Sequence, residues 1–181
     1  MVVTRITDHL AEIRGRMAKA AARSGREAAG ITLVGVTKGQ PAASVREGFE
    51  AGLRDFGENY VQEASPKIAA ADRDAVWHFI GRIQSNKTRE IAERFAWAQT
   101  VTSARIAARL SAGRPHYGPP LKVCIQLQPG GDADERAGCP RADVPALADA
   151  IAGLQRLELR GLMLLPHAGL DADGLRVEYR A

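Results

Sequence analysis

Apolar positions along the chain follow two alternating rhythms. Ile6, Leu10, Ile13 and Met17 step by four, three and four, the spacing of one stripe on an α-helix. They predict a long N-terminal helix within residues 1–29, despite the propensity cost of Gly15. The rhythm then changes. ITLVGV, residues 31–36, reads as a buried strand, and Pro41 opens a helix with Val45 and Phe49 one turn apart and Gly52 as its stop. The same pair recurs. Leu53 to Phe56 predicts a strand followed by a helix from about Tyr60, and Val76 to Ile80 a strand followed by a helix around Lys87 to Phe95. Trp97 to Val101 leads into Ser103 as N-cap, with Ile106 and Leu110 on one face and Gly113 as the stop. LKVCIQL, 121–127, is the next strand, and Asp143 can cap a helix carrying Leu147, Ile151 and Leu154. LELRGLMLL, 157–165, supplies a sixth strand, and the Gly- and Asp-rich stretch between 129 and 138 is the long loop.

Apolar strands separated by helices mean a parallel sheet covered by helices, either doubly wound or a (β/α)₈ barrel. Periodicity alone leaves both open. A complete barrel typically needs about 250 residues and eight strand–helix units. This chain has 181 residues and offers about six such units by the count above. Either the sheet is open or the chain stops early.

Composition narrows the function classes. The chain is 45% hydrophobic and 5% aromatic, ordinary for one soluble α/β domain. Its +4 charge is mild and dispersed along helices, which argues against a nucleic-acid partner. No apolar run approaches the roughly 20 residues of a membrane span, and MVVTRITDHL lacks the layout of a signal peptide, so the cytoplasm is expected and a membrane partner is not. Cys124 and Cys139 are too few for a disulfide framework and are given no chemical role. No residue is assigned to a metal.

Lys38 is the first candidate for chemistry. It follows the strand ITLVGV, and in parallel α/β architectures the residues just past the carboxyl ends of strands line the binding site. Alone, it reads most simply as a rim cation whose stem packs while its ammonium stays in water. The sharper reading is an amine ready to form a Schiff base with an aldehyde. Two further strand ends converge on the same rim. LRDFGENYVQE, 53–63, ends its strand with Gly57, Glu58 and Asn59, and VWHFIGRIQSNK, 76–87, brings His78, Gly81, Gln84, Ser85, Asn86 and Lys87.

Taken in order, VTKG, FGENYVQE, WHFIGRIQSNK and RGLM resemble the YggS/PROSC family of pyridoxal phosphate homeostasis proteins, which share the barrel of the alanine racemase N-terminal domain. The resemblance runs from about Ile31 to the end, and the N-terminal helix is compatible with it. It implies a (β/α)₈ TIM-barrel type fold, with about six of eight strand–helix units present in one domain over residues 1–181. It further implies that Lys38 holds pyridoxal 5'-phosphate as a Schiff base. Asn59 and Asn86 match positions near the cofactor, where amides hydrogen-bond ring substituents; their alternative is to cap the helices that follow. His78 lies between Trp77 and Phe79 with its side chain on the opposite face, either as a core histidine with a backbone partner or inward beside the cofactor. Met163 either fills the barrel or touches the ring. Lys87 is most simply a helix-face charge.

The departures carry their own expectations. Family members continue through two more strand–helix units, whose Ser-x-Gly-Met-Ser and Gly-Ser/Thr…Arg-Ile-Gly stretches hold the cofactor phosphate; neither occurs here. The tail HAGLDADGLRVEYRA still follows the family's register, with Arg176 and Tyr179 three apart in the next helix. The chain is therefore read as a truncated member, and open strand edges are expected to invite aggregation or pairing. Arg136, in PGGDADERAG, stands where relatives usually carry lysine and cannot readily act as an amine nucleophile. Ser65–Pro66 is expected to interrupt a helix.

Three functions follow. The leading one is a carrier that binds pyridoxal 5'-phosphate through Lys38 and delivers it to apoenzymes without turnover, so no catalytic residue is assigned. The second is an amino-acid racemase, which needs another acid/base on the opposite substrate face; Tyr60, Tyr117 and Tyr179 are the tyrosines available. The third is a cofactor-free interaction module that uses exposed strand edges.

Overall fold

The computed structural model describes residues 6–128 and 138–180. Six parallel strands lie side by side in chain order: β1 Val34–Val36, β2 Asp55–Glu58, β3 Val76–Phe79, β4 Trp97–Val101, β5 Leu121–Gln126 and β6 Leu157–Met163. Helix α1 (Ile6–Arg23) precedes β1. Helices α2 (Ala42–Glu50), α3 (Val61–Ala70), α4 (Thr88–Arg94), α5 (Ala104–Gly113) and α6 (Val144–Ala152) connect the strands, and α7 (Ala172–Arg180) follows β6. A doubly wound sheet reverses its strand order at a switch point. The order here never reverses, so the sheet is singly wound, in the manner of a TIM barrel, which resolves the choice periodicity left open. Among the described residues β1 and β6 each pair on one side only.

The core lies between the helices and the outward sheet face. Phe56, Trp77, Phe79, Ala98, Val123 and Ile125 of the strands meet Val61, Ile91, Ile106, Leu110, Leu147 and Ile151 of the helices. Aromatic contacts knit the layer, with Phe56 and Trp77 centroids 5.6 Å apart and Phe79 meeting Phe95 edge-on at 5.3 Å. Trp77 and Phe79 thus occupy the outward face, and the residue between them must point inward.

Several local expectations shift. ITLVGV becomes strand only at Val34–Val36, after a 3₁₀ turn at Ala28–Gly30. The second strand begins at Asp55, not Leu53, because Leu53 is spent as a plug; a Cβ on Gly35 would lie 2.3 Å from its Cδ2. On α1, Leu10 and Ala21 are buried whereas Ile13 is 37% exposed. The packed side is turned toward Arg14, whose guanidinium donates to the carbonyls of Ala51 (3.4 Å) and Gly52 (2.8 Å) and so satisfies the end of α2. Asp143 makes no side-chain cap; it closes a 3₁₀ turn, Arg141–Asp143, that runs into α6. The expected interruption at Ser65–Pro66 is also absent, since α3 continues through Pro66. Pro66 and Gln62 are both exposed, so the carbonyl that Pro66 cannot serve faces water. Arg136 lies outside the described residues.

No helix among the described residues is long and apolar enough to cross a membrane. Cys124 and Cys139 are free thiols, and burial pushes both up in pKa.

Candidate functional site

Strand register builds the inward face row by row. Val36, Gly57, His78, Trp97, Lys122 and Glu158 are successive partners across all six strands and, by the pleat, face the same side. His78 sits in this row, 2% exposed. Its Nε2 is 2.9 Å from Asp55 Oδ1, its Nδ1 2.9 Å from the Gln99 amide nitrogen, and its ring stacks on Trp97 at 5.3 Å. The histidine is inward, and the backbone partner expected of a core histidine is replaced by two side chains. An amide nitrogen only donates, so Nδ1 accepts and Nε2 carries the proton to Asp55. Lys122 Nζ lies 5.4 Å above the Trp97 ring.

Desolvation holds His78 below its ordinary pKa of 6.5, against the opposing hydrogen bond and charge of Asp55, and Lys122 adds to the lowering. The unfolded chain therefore takes up the proton first. The stabilisation from neutral His78 is complete above its unfolded value and is lost as pH falls below that value toward the lowered folded one. The drop in Tm between about pH 7.5 and about pH 5.5 is expected to be smaller in His78→Gln than in wild type. Equal drops measured by calorimetry would refute it.

Lys38 sits on a turn whose backbone is held on both sides. The Thr37 N–H donates to Gly57 O at 3.0 Å, extending the β1–β2 ladder by one residue. The Thr37 hydroxyl donates to Glu58 Oε1 at 2.6 Å, and the Thr37 carbonyl accepts from Lys67 Nζ at 2.7 Å and from the Gln40 N–H at 3.0 Å. Beyond it, the Gly39 N–H donates to Glu63 Oε2 at 3.1 Å. Gly39 has φ of 69°, which any side chain would strain, so a glycine must end the turn. Thr37 is buried, and Lys38 stands on the turn just past the carboxyl end of β1. Its side chain is exposed, and its Nζ makes no hydrogen bond or ion pair among the described residues.

Asn59 follows β2 and lines a cavity of about 230 Å³ together with Tyr60, Gln62, Arg82, Gln84 and Lys87. At its base the two strand ends touch: a Cβ on Gly81 would lie 2.1 Å from Asn59 O, and the Thr100 hydroxyl donates to Gly81 O at 2.5 Å. Asn86 is exposed on a 3₁₀ turn, Ser85–Lys87, and does not line this cavity. Neither asparagine caps a helix. Tyr60 and Lys87 occupy the cap positions of α3 and α4, and no side-chain cap bond is made at either. Lys87 is a helix-face charge paired with Glu90 at 2.6 Å.

Met163 reaches the inward face through an irregularity. Val123 pairs with Leu159, but the next pair is Cys124 with Gly161, so Arg160 is the extra residue of a bulge. Gly161 adopts φ of 146° there. Simple alternation from Leu157 would send Met163 outward; the bulge returns it inward beside Gln126. The structure thus places His78 and Met163 on the inward face, with Lys38 and Asn59 at the carboxyl ends of adjacent strands and Asn86 apart.

Sequence reasoning missed Thr37, Glu58 and Lys67 as a unit. A signal existed. Val61, Ala64 and Lys67 step by three along α3, which puts a lysine on an otherwise apolar stripe, and Glu58 shares the outward parity of Phe56. A buried cation and a buried anion on facing elements imply each other.

Comparison with known proteins agrees with this geometry. The family model described as alanine racemase, N-terminal domain, matches residues 9–174. The pyridoxal phosphate homeostasis protein of Pseudomonas aeruginosa is 51% identical over 162 residues, covering 89% of this chain and 70% of that protein. Among solved structures, PipY of Synechococcus elongatus without PLP superposes with a TM-score of 0.81 at 35% identity, covering 96% of this chain and 76% of PipY. The form of PipY with PLP bound gives 0.73 at 36% identity, covering 89% and 76%.

Proposed function

This chain belongs to the family of pyridoxal phosphate homeostasis proteins built on the barrel of the alanine racemase N-terminal domain, and on that footing we propose that it binds pyridoxal 5'-phosphate at Lys38 and holds it for delivery to enzymes that require it. One observation carries the reading: the backbone around Lys38 is fixed by hydrogen bonds on both sides while its amine has no partner among the described residues. A nucleophile that must stay available is best held this way, since any partner on Nζ would compete with the incoming group.

The residues present fit the aldehyde and the ring of this cofactor. Bound, it supplies an electrophilic aldehyde to which a lysine amine bonds covalently. Lys38 provides that amine, and Gly57 keeps the row below it free of a side chain; a Cβ there would press Ile80 and Val34 at 2.9 and 3.3 Å. Asn59 offers an uncharged amide to ring substituents, and Met163 a soft surface against which a ring can rest. His78 has both nitrogens engaged by Asp55 and Gln99, so it shapes the floor of the site and leaves proton transfer to other groups. Asn86 is carried only as a rim residue. Delivery to apoenzymes requires no turnover, and the cytoplasm is the compartment proposed.

The test is covalent trapping. After incubation with pyridoxal 5'-phosphate and borohydride reduction, peptide mapping is expected to find one phosphopyridoxyl group, on Lys38. Of the other lysines, Lys67 is buried, Lys87 is paired with Glu90 and Lys122 lies over Trp97, whereas Lys19 is exposed on α1 and, unlike Lys38, does not follow a strand of the sheet. Adducts spread over Lys19, Lys87 and Lys122 in proportion to exposure would overturn the reading.

A further inference from the structure

Glu58 points away from the barrel interior into the layer beneath the helices, where it is fully buried. Its Oε1 accepts from the Thr37 hydroxyl at 2.6 Å and from Lys67 Nζ at 2.7 Å, and its Oε2 has no hydrogen-bond partner among the described residues. Lys67, also buried, spends another hydrogen on the Thr37 carbonyl at 2.7 Å. Every polar group of the residue before Lys38 is thereby held: N–H by β2, hydroxyl by Glu58, carbonyl by Lys67.

As a stabilising device this pair is a poor one. Two ions are withdrawn from water, apolar replacement of such pairs is often neutral or favourable, and a carboxylate oxygen without a partner adds to the cost. Apolar residues could fill the same space, but they could not grip a peptide carbonyl and a hydroxyl. The amine of Lys38 itself has no partner among the described residues, so the turn's backbone is the place where the protein controls its direction. We propose that Glu58 and Lys67 are positioning residues, a buried ion pair that fixes the Thr37–Gly39 turn and so aims the Lys38 amine at the inward face. This rests on the reading of Lys38 as the amine that takes the cofactor.

The experiment removes both ions together, as Glu58→Leu with Lys67→Met, because either change alone strands an uncompensated buried charge. The double variant is expected to keep its circular dichroism and its Tm, while amide hydrogen exchange across residues 36–41 quickens at least ~10-fold. The rate at which borohydride traps the adduct on Lys38 is expected to fall by about 10-fold or more, with the near-visible absorption band of the bound cofactor weakened. Thr37→Ser, which keeps the hydroxyl, should match wild type in both readouts; Thr37→Val, which removes it at equal size, should move both in the direction of the double variant. A folded double variant with unchanged exchange over 36–41, or with faster exchange but an unchanged trapping rate, overturns the proposal. Should the double variant not fold, equal behaviour of Thr37→Ser and Thr37→Val overturns it. Faster exchange in the variants beside a wild type that never forms the Lys38 adduct would uphold the grip on the turn and overturn the cofactor reading instead.

Discussion

Lys38→Ala is expected to abolish the borohydride-trapped phosphopyridoxyl adduct while leaving Tm within about 1 °C of wild type. Both halves come from the same geometry. The side chain is exposed and its amine has no partner among the described residues, so truncation gives up neither buried area nor a hydrogen bond to them. The bonds that hold the turn belong to Thr37 and to the N–H of Gly39 and Gln40, and alanine leaves all of them in place. Residue 38 has no positive φ that alanine would strain. Lys38→Arg sharpens the result. It keeps the charge and much of the reach but offers no amine that condenses with an aldehyde, so the adduct should be lost equally. Intact mass, peptide mapping and calorimetry on the three proteins decide it. A stoichiometric adduct surviving in Lys38→Ala would show that the reactive amine lies elsewhere.

Gly81→Ala should do the opposite, disturbing the fold before any chemistry is tested. A Cβ at Gly81 would lie 2.1 Å from the Asn59 carbonyl oxygen, 2.7 Å from its Cα and 2.8 Å from its carbonyl carbon. These are backbone atoms and cannot step aside as a side-chain tip can. Relief requires prying apart the ends of β2 and β3, which also strains the bond from the Thr100 hydroxyl to the Gly81 carbonyl. The cost should reach or exceed the upper end of ordinary overpacking, about 3 kcal/mol. At 2–4 °C per kcal/mol for a chain of this size, Tm should fall by about 6–12 °C. Gly57→Ala is the control. Its nearest contact is Ile80 Cδ1 at 2.9 Å, the end of a flexible side chain, and its cost should stay near ~1 kcal/mol. Thermal unfolding of the pair tests the contrast, and a Gly81→Ala protein within about 2 °C of wild type would mean that these strand ends do not pack as described.

Much of the fold was legible because its signals are local. Trp97–Val101 is strand where its apolar run indicated, and Ser103 caps α5, its hydroxyl accepting from the Ile106 N–H. Gly52, with φ of 86°, lies just beyond the C-cap of α2, where its position between helix and strand suggested a stop. Boundaries failed where a residue served a distant neighbour. Leu53 looked like strand but plugs the space beside Gly35, and Ile13 looked like core but yields the packed side of α1 to Arg14 and the end of α2. The site divides in the same way. Lys38 was visible from its place after a strand and before glycine, whereas Asn86 matched by motif and yet stands exposed on its turn.

By itself the sequence determined the alternation of strands and helices, the lysine at the end of the first strand and the family to which the chain belongs. Each depends on spacing within a turn or a pleat, or on residues read in order. Only the tertiary structure decided that the sheet winds in one direction, because strand order depends on where each helix returns the chain. It alone set the partners of His78, 23 and 21 residues away, and the grip of Lys67 on Thr37, 30 residues away. It also decided the face of Met163, which a one-residue bulge at Arg160 reverses. A period of two predicts a face only while the ladder is unbroken, and whether it breaks is settled by the neighbouring strand.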